Sequence, residues 1–262
     1  IFNIQLFYSG MIKISSTAKL PLNICKGSVQ ERYKLAAKLN ADFFDKLSKE
    51  FTTKEISKEV FEKTLQSTTP TKINVKVLDY NSRYGGMTEA VLNSNRSEIN
   101  GFNIYLPLNK YSKQLGIYGI ETALHESFHF NSHIVNPKYT ARNKKMYETG
   151  LTELTEEFYK NTLYAKDKGI DIKTIKEILN TFLSNFRAEE QINFLQNCRY
   201  RLTDEMHAFA EGAKYLDRIQ DIHSDKIQEK IPSMFVEEYH FPEKIQMINE
   251  KLKEILLKCR AK

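Results

Sequence analysis

Five residues carry the chemistry this sequence offers: His125-Glu126-Ser127-Phe128-His129. Two histidines four apart on an α-helix stand about one turn from each other on the same face, so both imidazoles can reach one zinc ion. The carboxylate of Glu126 lies beside them. A zinc ion in such a site lowers the pKa of a water molecule to about 7, and the carboxylate then acts as general base. The pattern implies metal-assisted hydrolysis, with His125 and His129 as zinc ligands and Glu126 as the catalytic base.

The surrounding elements must hold that string on a helix. No Pro or Gly interrupts it, and Leu115, Thr122, Ala123, Leu124 and Phe128 give the predicted helix, about 113–133, an apolar surface to bury. Before it the period is that of strands. Ile73-Asn74-Val75-Lys76-Val77 alternates apolar and polar, Met87 to Leu92 reads as a second strand after Tyr84-Gly85-Gly86, and Phe102 to Leu106 as a third. Pro107 marks this last strand as one near an edge, because proline cannot donate to a ladder. Upstream, residues 28–66 read as helical, with Leu35, Leu39, Phe43, Leu47 and Phe51 recurring every four. Downstream, helices are expected at about 147–167, 171–197, 202–219 and 242–259, with breaks at Lys168-Gly169, Ile231-Pro232 and Phe241-Pro242. The fold class is α+β, mostly helical, with a small twisted sheet preceding the motif helix. Residues 1–70 form a helical N-terminal segment and residues 71–262 the catalytic part, together one continuous globular unit.

The motif and its context resemble the zincin metallopeptidases over roughly residues 72–134. That resemblance implies a small sheet ahead of the motif helix, whose edge strand pairs with an extended substrate; Gly101 to Leu106 is the candidate. It also implies Zn²⁺ as cofactor, a protein or peptide as substrate, and endopeptidase rather than exopeptidase action.

A catalytic zinc takes a third protein ligand and keeps one position open. His133 is excluded on a straight helix, since it would stand about 12 Å from His125 along the axis. The metzincin pattern fails as well, with Ser132 and Val135 where its glycine and third histidine belong. A gluzincin-like glutamate remains, and there are two. Glu205, in Asp204-Glu205-Met206-His207-Ala208-Phe209-Ala210-Glu211-Gly212, resembles the glutamate-helix string of several gluzincins. It lies on the edge of the stripe Leu202, Met206, Phe209, Ala213 and Leu216, where a carboxylate is costly unless paired or metal-bound. Small Ala208 and Gly212 beside it would let the motif helix approach, and His207 falls on the solvent side. Glu148 is the alternative: it follows His129 at the spacing of certain gluzincin aminopeptidases, but Thr149 stands directly before Gly150, where their ligand would be. Asp204 and Glu211 are candidates for orienting a ligand histidine. Tyr200 is a candidate oxyanion donor, since lethal-factor-like zincins also carry a tyrosine shortly before the ligand glutamate.

Composition bounds the rest. The 262 residues are 41% hydrophobic and 27% charged, with 10 Gly and 6 Pro, which excludes low-complexity and largely disordered chains. The net charge of +6 is dispersed along helical stretches, unlike a basic stripe with interleaved aromatics, so neither nucleic acid nor membrane is indicated as partner. No apolar run approaches the roughly 18–20 residues a bilayer needs. Ile1 to Tyr8 lacks the basic start of a signal peptide, and Met11 is an alternative start. Cys25, Cys198 and Cys259 are too few and too scattered for a disulfide framework or a cysteine zinc site. The location implied is cytoplasmic, or outside the producing cell as an effector or toxin. Two rivals accompany the peptidase reading: a non-enzymatic helical binding protein carrying the motif by coincidence, and a zinc hydrolase of a non-peptide amide or ester.

Overall fold

The computed structural model describes residues 28–50, 55–69, 71–78, 85–95, 98–109, 111–116, 119–136, 144–145, 147–164, 171–222 and 239–260. Ile1 to Tyr8, Met11, Cys25 and the breaks Lys168-Gly169 and Ile231-Pro232 lie outside them. The elements are α1 (Val29–Glu50), β1 (Glu55–Ser57), α2 (Lys58–Gln66), β2 (Ile73–Val77), β3 (Met87–Leu92), β4 (Ile99–Leu106), β5 (Gln114–Gly116), α3 (Ile120–Val135), α4 (Thr152–Phe158), α5 (Ile172–Leu183), α6 (Ala188–Ile222) and α7 (Phe241–Arg260). The fold is α+β and mostly helical, with its small sheet ahead of the motif helix α3.

The sheet has the order β2-β4-β3, with β2 parallel and β3 antiparallel to β4. The strand containing Phe102 to Leu106 is therefore central, not near an edge. Pro107 follows its last residue and never has to donate, so the proline constrained the strand's end and not its place in the order. The alternation of β4 carries the packing: Phe102, Ile104 and Leu106 are fully buried. A separate two-stranded pair joins β1 to β5, setting Ile56 opposite Leu115, both buried. Two expected helices are interrupted by this pair. The stretch 28–66 divides into α1 and α2 with β1 between, and Leu115 lies in β5, so α3 begins only at Ile120.

Contacts divide the chain into two units: residues 1–137 with 211–234, and residues 138–210 with 235–262. The core of the first gathers Phe43 and Phe44 of α1, Phe61 of α2, the inner residues of β2 and β4, Leu124 and Phe130 of α3, and Tyr215, Leu216 and Ile219 of α6. The second is helical. Its core joins Phe158, Leu179, Leu195, Cys198, Leu202, Phe241 and Ile248 from α4 to α7. Here α4 runs on into a π-helical turn at Tyr159–Leu163, and α5 opens on Asp171, whose side chain accepts from the Thr174 amide at 2.7 Å. The last long helix before α7 is longer than its apolar stripe suggested. It starts at Ala188 and absorbs both the end of the expected 171–197 helix and all of 202–219.

Candidate metal centre

Helix α3 is buried on almost every side, with only His133 and Ile134 half-exposed. Such a helix needs polar anchors as well as apolar ones, and Asn40 of α1 supplies one. This fully buried side chain donates to the Leu124 carbonyl at 3.2 Å, while the Ser127 hydroxyl donates to the Asn40 carbonyl oxygen. The clamp fixes the rotation of α3, and with it the direction of the motif face.

On that face His125 and His129 are each about nine-tenths buried, and their Nε2 atoms stand 3.0 Å apart. Two imidazole nitrogens aimed at one point is the arrangement two ligands of one ion require. Glu126 is 4% exposed. Its carboxylate is met by β3, where the Thr88 hydroxyl lies 2.7 Å from Oε2 and 2.9 Å from the Glu126 carbonyl oxygen. Gly86 passes closer still: a Cβ there would fall 2.8 Å from both Cγ and Oε1 of Glu126 and 2.6 Å from Cγ2 of Thr122. Only hydrogen fits at that position.

Helix α6 approaches α3 at a second glycine. A Cβ on Gly212 would come within 2.9 Å of the Glu121 carbonyl oxygen and 3.4 Å of the His125 Cβ, so the two backbones pack too tightly for any side chain there. Two turns earlier on α6 stand Asp204, buried, and Glu205, half-buried. One ligand atom from each of His125 and His129 forms a group with a separation within 4.8 Å, and one from each of His129 and His133 forms a second. The two buried histidines of α3 thus offer a pair of donors able to hold a metal ion. Imidazole and carboxylate donors suit zinc and other first-row divalent ions alike.

The other candidates fall as follows. Glu148 is exposed, its carboxylate 3.7 Å from Lys144 Nζ, and it joins neither ligand group. His133 shares no group with His125, as the helical pitch demands; its ring stacks on Phe102 and on His129. His207 is half-buried, not solvent-facing, because α6 has neighbours on more than one side. Tyr200 is half-buried on α6, and Cys198 and Cys259 are free thiols.

Three residues escaped the sequence reading. Thr88 of β3 and Gly86 just before it lie against Glu126, from a stretch that periodicity could locate but not dock. The third is Tyr159, in the π-helical turn, a local departure that often marks functional positions. Its side chain is 2% exposed, its hydroxyl makes no hydrogen bond among the described residues, and the Arg201 guanidinium sits 4.2 Å from its ring centroid. Burial, and next the negative charge of Glu205, push the Tyr159 hydroxyl well above the usual phenol range. Arg201 is itself held by Glu156 at 2.6 Å.

No protein-family model matches the chain, and neither the curated proteins nor the solved structures contain a significant match.

Proposed function

We propose that this protein is a zinc-dependent peptide hydrolase of the zincin type, acting as an endopeptidase. The observation that carries the reading is the pair of buried imidazoles, Nε2 to Nε2 at 3.0 Å, on the same helix as a buried carboxylate held from outside by β3. His125, His129 and Glu205 would hold the ion, half-buried Glu205 being favoured over the exposed Glu148. Zinc bound there supplies a Lewis acid that polarises the scissile carbonyl and makes water a nucleophile near neutral pH.

The chain's own groups do the rest. Glu126 takes the proton of the attacking water and passes it to the leaving amine. Tyr159, kept protonated by its surroundings, joins Tyr200 as a candidate donor to the oxyanion that develops on the substrate. A peptide substrate is supported by β3. Among the described residues it pairs with β4 alone, its inner face lies against α3, and Met87 and Val91 are exposed on its outer face. A strand with one open edge next to the general base suits an extended chain that continues past the cut bond in both directions. This role moves from Gly101–Leu106 to Met87–Leu92, because β4 has both edges occupied.

Glu126→Gln tests the reading. The variant is expected to retain zinc and lose about 10²–10⁴-fold in cleavage of a peptide library. Cleavage at the wild-type rate would overturn it.

A further inference from the structure

A place on α3 does not by itself set the plane of the Glu126 carboxylate. Glutamate has three side-chain torsions, and the terminal one is broad, so a helix that fixes its Cα still leaves both oxygens free to sweep. A general base has to present one chosen oxygen to one water, and a displacement of about 1 Å costs on the order of 10²-fold. Strand β3 supplies one such constraint.

We propose that Thr88 is a positioning residue for Glu126: its hydroxyl holds Oε2 and with it the plane of the carboxylate that receives the proton of the reacting water. The inference rests on the hydrolase reading and adds to it the device that aims the base. The Thr88 hydroxyl has one proton and two acceptors in reach, Oε2 at 2.7 Å and the Glu126 carbonyl oxygen at 2.9 Å. The ionised oxygen is the stronger acceptor and takes the proton. The carbonyl, at the other end of the same residue, keeps the hydroxyl close to the helix. Gly86 closes the opposite side. Its Cα hydrogen occupies the place from which a methyl group would press Cγ and Oε1 at 2.8 Å, so the carboxylate is held by a hydrogen bond at one oxygen and by backbone contact near the other.

The partner's location adds a second consequence. Thr88 is a residue of β3, whose register against β4 pairs it with Ile104. A peptide laid along the open edge of β3 is paired to the same strand that grips the base, so the scissile bond and the carboxylate share one frame. Movement of the strand moves both together.

The test compares Thr88→Val, which keeps the shape and removes the hydroxyl, with Thr88→Ser, which keeps the hydroxyl. Thr88→Val is expected to retain zinc and hold KM within about twofold while kcat falls roughly 10–100-fold. Thr88→Ser is expected within about threefold of wild type in both constants. A wild-type kcat in Thr88→Val overturns the proposal, as does a Thr88→Ser variant as impaired as Thr88→Val, since the methyl group would then be the part that matters. Crystal structures of the two variants provide a measure free of activity. The Glu126 carboxylate should shift by about 1 Å or more in Thr88→Val and stay in Thr88→Ser; an unmoved carboxylate in Thr88→Val overturns the proposal. Should the wild-type protein hydrolyse no peptide, the functional reading fails, while the structural comparison still decides whether Thr88 holds Glu126.

Discussion

Tyr159 separates stability from catalysis at the level of one atom. Its buried hydroxyl makes no hydrogen bond among the described residues, and an unsatisfied buried hydroxyl costs about 1–3 kcal/mol. Tyr159→Phe removes that cost while keeping the ring under Arg201, so the melting temperature should hold or rise. If the hydroxyl serves the oxyanion, kcat should fall on the order of 10²-fold in the same variant. Thermal unfolding and steady-state kinetics on one preparation check both; a destabilised variant with full activity would make Tyr159 structural. Residue-scale chemistry was readable for His125, Glu126 and His129, because ligand spacing on a helix is local and depends only on the 3.6-residue turn. It was not readable for Thr88, Gly86 and Tyr159. Each acquires its meaning from a neighbour 38, 40 or 46 positions away, namely Glu126 for the first two and Glu205 for the third.

Among the elements, α3 is held by a few polar and steric fixtures more than by its termini, since its N-terminus has no side-chain cap. Asn40→Ala strips the buried Ser127 and the Leu124 carbonyl of a partner and opens a small cavity, so a loss of about 1–3 kcal/mol is expected in denaturant unfolding. In the second unit, Glu156 is drawn in opposite directions. Burial raises its pKa, the Arg201 and Lys160 side chains lower it, and the net result lies below the ordinary 4.5. A depressed carboxylate contributes stability that is fully present above its unfolded pKa and lost as pH falls through the folded value. Stability should therefore decline as pH drops below about 4.5, and Glu156→Gln should flatten part of that decline; equal slopes for the two proteins would remove Glu156 from the account. Element types were largely legible from period and punctuation, as with β2, β3, α5 and α7. Strand order was not, because which strand lies between the other two is decided by long-range docking, and the single proline bore only on where β4 ends. The merging of two expected helices into α6 has a similar cause: neighbours bury α6 on several faces, so a single stripe understated its length.

For the molecule as a whole, many charges are matched in surface pairs such as Lys58–Glu62, Lys145–Glu189 and Arg218–Asp45, which add nothing to the +6 net charge and are worth little individually. Among the described residues no helix is long and apolar enough to cross a membrane. What distinguishes the chain is the buried, metal-capable histidine pair of α3, which gives the peptidase and the plain binding protein opposite expectations. An ion that binds only the folded protein stabilises it by mass action, about 2.7 kcal/mol at a hundred times its dissociation constant, so zinc should raise the unfolding temperature and a chelator reverse the gain. The most direct measurement is the zinc content of the protein after equilibration with zinc and removal of the excess, compared with a His125→Ala, His129→Ala variant. About one zinc per chain in the wild type and essentially none in the variant is the expected result. A wild-type protein that holds no zinc, or a variant that holds as much as the wild type, would contradict the account.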